Sequence, residues 1–175
     1  MQTPASVAKH PLHPMLVVFP IGLWIFSLVC DLVSLAVSDP DVAGTWSLVA
    51  FFTMAGGLVG ALAAAVPGFI DLLSIADPDV RKIALTHMAI NLTAVVIYAA
   101  NLWLRLNGME TGLPIGLSVL TVLMLGVSGW LGGEMVHVHG VGVQPVPGDR
   151  RRRNAPPEAL GIVERRMARH GVEPS

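Results

Sequence analysis

Residues 87–105 read HMAINLTAVVIYAANLWLR, and the spacing of the polar side chains in this stretch decides the fold. Alternating steps of four and three pick out His87, Asn91, Ala94, Tyr98, Asn101 and Arg105. Such steps keep side chains on one face of an α-helix. Five of these six residues are polar, while the positions between them are mostly Ala, Leu, Ile and Val. Hydrocarbon offers a polar side chain no hydrogen-bond partner, so the stripe faces protein or water. The rest of the chain is read as what covers it.

The surrounding composition fits a bilayer. Of 175 residues, 53% are hydrophobic and 13% are charged, against roughly 25% charged in a soluble domain. Mean hydropathy is +0.66. Four apolar runs, at about 15–37, 44–75, 83–104 and 113–136, each reach the roughly 20 residues that cross a membrane. These runs predict an all-α polytopic membrane protein, with four transmembrane helices in an antiparallel bundle over residues 1–143. The first run is too long, and its flank too weakly basic, for a cleavable signal peptide. Cys30 is the one cysteine, which rules out an internal disulfide and any multi-cysteine metal cluster.

The first span has a polar stripe of its own: His13, Pro20, Trp24, Ser27, Asp31, Ser34 and Ser38. At 1.5 Å per residue Asp31 lies about 27 Å from His13, near the opposite membrane face. Asp39-Pro40-Asp41 and Asp77-Pro78-Asp79 both read as a helix start, with Asp as N-cap and Pro as first helical residue. Their lead-ins, DLVSLA from Asp31 and DLLSIA from Asp71, hint at an internal duplication, although membrane composition also produces such short matches by coincidence. Gly56, Gly57, Gly60 and Ala64 allow close helix approach. Asn107-Gly108 ends the third span. The tail, 144–175, is rich in Pro, Gly and Arg; its stretch 157–170 reads either as a short amphipathic helix on an anionic membrane surface or as an unstructured end.

Charge sets the expected orientation. With four spans, the N-terminus, the second turn and the tail share one side. That side carries Lys9, Arg81, Lys82, the arginine run 150–153, Arg165, Arg166 and Arg169, and the other side carries Arg105 alone. Positive residues stay cytoplasmic, so both termini are expected inside.

The same topology gathers His10, His13, Asp71, His87, Glu134, His137 and His139 at the cytoplasmic end, with Met15, Met88 and Met135 at similar depth. The outer end offers Cys30, Asp31, Asn101 and Arg105, and reads as an anchor. Two histidines at matching depth suit haem b. His87 with His139 or with His13 supplies a pair, with Asp71 and Glu134 as outer partners. Trp24 and Trp130 flank a ring or fill the core. Histidines at only one end support at most one haem. The alternative in the same class is a transition-metal ion held by His13, His87, His137, His139, Asp71 and Glu134.

Two other classes compete. A scaffold or accessory subunit would use the stripe as interhelical glue, which is the preferred reading of Asn91 and Asn101. A proton-coupled transporter or channel would line a path with His87, Asn91, Tyr98, Asn101, Asp31 and Asp71. No nucleophile elbow, phosphate loop or dinucleotide fingerprint is present, so the chain does not read as an enzyme by itself. The arginine run is explained by lipid contact without nucleic acid. A redox protein or a second copy of the chain is the expected partner besides the bilayer.

His10-Pro-Leu-His13-Pro14, Phe19-Pro-Ile-Gly-Leu-Trp24 followed by Asp31, and Gly132-Gly-Glu134 with His139-Gly-Val-Gly-Val143 together resemble the bacterial family called domain of unknown function 2231. The resemblance covers about 10–143. It implies a four-span inner-membrane domain, and relatives joined to Rieske-type or cytochrome c-type modules imply redox company. The matching positions are His13, Asp31, Asp71, His87, Asn91, Glu134 and His139. His137 stands where relatives often carry an aromatic residue.

Overall fold

A computed structural model describes residues 4–8 and 10–143. The tail, with its candidate amphipathic helix, lies outside the described residues. Two short antiparallel strands open the chain, β1 (Ser6–Val7) and β2 (His10–Pro11), with Ser6 opposite Pro11 and Val7 opposite His10. Then come α1 (Leu12–Leu16), α2 (Val18–Ala36), α3 (Pro40–Leu73), α4 (Pro78–Leu106) and α5 (Leu113–His137). Among the described residues four helices, counting α1 and α2 as one span over Leu12–Ala36, are long and apolar enough to cross a membrane.

The first span is broken where one helix was expected. Pro20 has no N–H to offer the carbonyl of Leu16, and its ring crowds that carbonyl, so the ladder is interrupted at Val17. The acidic turns behave as read. Asp39 Oδ1 accepts from the N–H groups of Asp41 at 3.0 Å and Val42 at 3.3 Å. Asp77 Oδ1 does the same for Asp79 at 2.9 Å and Val80 at 3.2 Å. Helix α4 ends in a Schellman motif: Gly108, at φ +84°, donates to the Arg105 carbonyl, and Met109 donates to that of Leu104.

Helix α2 packs along α3 and α4 along α5; α3 against α4 and α2 against α5 close the bundle. That order leaves α2 and α4 diagonal, meeting through side chains across the centre. One cluster at the centre joins Trp24, Met54 and Tyr98, and a second, nearer the α3–α4 turn, joins Leu72, Ile75, Val80 and Ala84. Met88 and Met135 pack on the second cluster, whereas Met15 is exposed. Trp130 is 77% exposed and belongs to the lipid-facing surface, so it neither fills the core nor flanks an interior group. The stripe of α4 points inward as expected: Ala94, Tyr98, Asn101 and Arg105 are buried, and His87 and Asn91 half-buried.

Candidate functional site

His13, on α1, rests against a gap in α3. Its Nδ1 donates to the Ala64 carbonyl at 2.8 Å. Pro67 lies inside α3, where it cannot continue the backbone ladder, which leaves nearby carbonyls available to a side chain. Gly68 provides the room: a Cβ there would lie 2.7 Å from His13 Nδ1. His87, on α4, has a similar seat on α5. Its Nδ1 donates to the Ser128 carbonyl at 2.9 Å, and a Cβ on Gly132 would sit 3.5 Å from its ring. The two imidazoles meet at the bundle centre with ring centres 6.3 Å apart and planes at 86°. Because a carbonyl only accepts, a neutral ring at either position carries its proton on Nδ1 and keeps a lone pair on Nε2. At His87 that lone pair faces the Asn91 amide, whose Nδ2 lies 3.0 Å away and also donates to Ser128 Oγ at 2.7 Å.

The other expected donors take other hydrogen bonds or lie toward the surface, with Asp71 still near enough to His13 for their charges to interact. His10 bonds its own turn at the Ala8 carbonyl and is exposed. His137 is exposed at the end of α5. His139 and Glu134 are half-exposed. Asp71 instead holds the N-terminal arm, its Oδ1 accepting from Ala5 N–H at 3.0 Å. Among the described residues no group of three or more His, Cys, Asp or Glu side chains is placed to hold a metal ion. Of the seven residues that the topology gathers at this end, His13 and His87 are the two whose rings meet.

Along the same centre line, Trp24 and Tyr98 stack with ring centres 4.3 Å apart and planes 19° from parallel. Trp24 Nε1 donates to the Met54 carbonyl at 3.2 Å. The Tyr98 hydroxyl has no hydrogen-bond partner among the described residues.

The far end holds a site that the sequence reading left unpaired. Arg105 grips Asp31 with both terminal nitrogens, at 2.8 and 2.6 Å, with side-chain exposures of only 3% and 2%. Arg105 Nε donates to Asn101 Oδ1 at 3.1 Å, and Asn101 Nδ2 donates to the Pro114 carbonyl and Ser118 Oγ. The signal available in advance was depth: a lone cation and a lone anion at one level of two inward stripes. Cys30, beside Asp31, is fully buried.

A family model described as predicted membrane protein, DUF2231, matches residues 9–145. The chain belongs to the DUF2231 family. The DUF2231 match spans the histidine pair, the aromatic stack and the Asp31–Arg105 pair alike. Neither a curated protein nor a solved structure matches the chain.

Proposed function

We propose that this DUF2231 protein holds a redox metal centre, haem b or a single transition-metal ion, between His13 and His87. The observation that carries the reading is the adjacent pair of imidazoles, packed edge to face, each with Nδ1–H on a backbone carbonyl of its neighbouring helix. Ligating histidines are oriented in this way, with one nitrogen held by a backbone acceptor and the other left for the metal. Imidazole nitrogens bind metals at about 2.0 Å, and His13 and His87, with ring centres 6.3 Å apart, are near enough to share one ion. Bound there, the group would supply one-electron exchange; the chain's own part is to hold two half-buried imidazoles in place by their Nδ1–H groups. Ligation by His87 requires the Asn91 amide to release Nε2. Lys9, Arg81 and Lys82 lie at this end of the sequence's topology, which supports placing it on the cytoplasmic side of a bacterial inner membrane. A redox protein or a second copy is the partner this reading calls for.

One observation favours a second reading, a membrane scaffold or accessory subunit. Asn91 already engages His87 Nε2, and the polar side chains of the α4 stripe, Tyr98 excepted, bond to neighbouring helices. An optical spectrum and elemental analysis of the detergent-purified protein separate the two. A Soret band, or one metal per chain, that is lost in both His13→Ala and His87→Ala supports the centre. Neither signal, with the same variants changing thermal stability alone, supports the scaffold.

A further inference from the structure

The two hairpins, α1–α3 and α4–α5, bury corresponding positions. Pro20, Trp24, Ser27 and Asp31 of α2 are buried, and so are the residues 74 positions later, Ala94, Tyr98, Asn101 and Arg105; Cys30 is buried while its counterpart Leu104 is half-buried, and Val80 and Ala84 are buried near the start of α4. Ala50, Met54, Gly57 and Ala64 of α3 correspond, 64 positions later, to Pro114, Ser118, Thr121 and Ser128, which are all the buried residues of α5. Hydrogen bonds repeat in the same register. Ser27 donates to the Ala50 carbonyl and Asn101 to that of Pro114, each at 2.7 Å. His13 and His87 donate to Ala64 and Ser128 in the same relation. The inter-hairpin contacts are reciprocal too, α3 on α4 and α2 on α5.

About a two-fold axis residue i meets j and j meets i, so a residue lying on the axis meets its own counterpart. Three do so here: His13 meets His87, Trp24 meets Tyr98, and Asp31 meets Arg105. We infer that the chain is one hairpin unit repeated in tandem and paired face to face about an internal two-fold axis, and that Asp31–Arg105 selects the other hairpin as partner. Two copies of the first hairpin would press Asp31 against Asp31, and two of the second would press Arg105 against Arg105. Buried like charges are strongly unfavourable, and only the mixed pair is satisfied. The DLVSLA and DLLSIA segments do not belong to this repeat. They lie on antiparallel helices, with Asp31 at the arginine end and Asp71 at the histidine end.

The test uses the full chain in detergent. Asp31→Arg and Arg105→Asp alone are expected to lower Tm by roughly 10 °C each. The exchange D31R/R105D is expected to return to within a few degrees of the parent, because each position has the surroundings of the other. An exchange no more stable than the worse single variant overturns the inference. If these variants do not fold, a second pair decides. A side chain at Gly57 would collide with the Trp24 indole, yet the second hairpin holds Thr121 and Tyr98 at the corresponding places. Gly57→Thr alone should lose the folded monomer, and G57T/W24Y should recover it. Failure of Trp24→Tyr to rescue means that the hairpins are not equivalent.

Discussion

Arg105 carries five N–H donors, and at least three contacts hold its guanidinium: two to Asp31 and one to Asn101. Removing either partner leaves a buried charge without compensation, which typically costs about 3–5 kcal/mol. Arg105→Met and Asp31→Leu should therefore each destabilise by about that much in reversible denaturation, whereas the double apolar variant should lie close to the parent. At the histidine end the limiting quantity is space. Gly68→Ala puts a methyl group against His13 Nδ1, and such overpacking costs roughly 1–3 kcal/mol. Thermal unfolding in detergent checks this, and Gly126→Ala, which meets nothing within 4 Å, serves as the control.

At the scale of helices, Asp39 and Asp77 each satisfy two backbone N–H groups at a helix start. Asp39→Ala and Asp77→Ala should each cost about 1 kcal/mol, as loss of an N-cap does. These turns, and the inward stripe of α4, were legible because caps and helical period are local properties of sequence. Pairing was not legible in the same way. Period tells which face a residue occupies but not which neighbour faces it, so Asp31 and Arg105 stayed apart until the diagonal placing of α2 and α4 joined them. The histidine cluster shows the converse. Sharing one end of a bundle does not mean sharing a point, since neighbouring axes are about 8–10 Å apart while a metal–nitrogen bond is near 2 Å. His137 and His139 lie at and beyond the last turn of α5, where Gly140 at φ +65° redirects the chain. The break at Val17 was hidden because Pro20 sits within an otherwise unbroken apolar run.

For the molecule as a whole, four spans put the α3–α4 turn and the α4–α5 turn on opposite sides. In sealed vesicles, Ala76→Cys and Glu110→Cys should react with a membrane-impermeant maleimide from opposite faces, and labelling of both from one face would contradict the topology. The native background should be silent, since Cys30 is fully buried.

The helices also differ in length: α3 has 34 residues and α4 has 29, but α5 has only 25. At 1.5 Å per residue α3 is about 51 Å long, well over the roughly 30 Å of a hydrocarbon slab. Thickening the bilayer with longer acyl chains would therefore find spare length in α3, while the first span and α5, at 25 residues each, would be the first to come up short. Hydrophobic mismatch should then act on one helix of each hairpin before its neighbour.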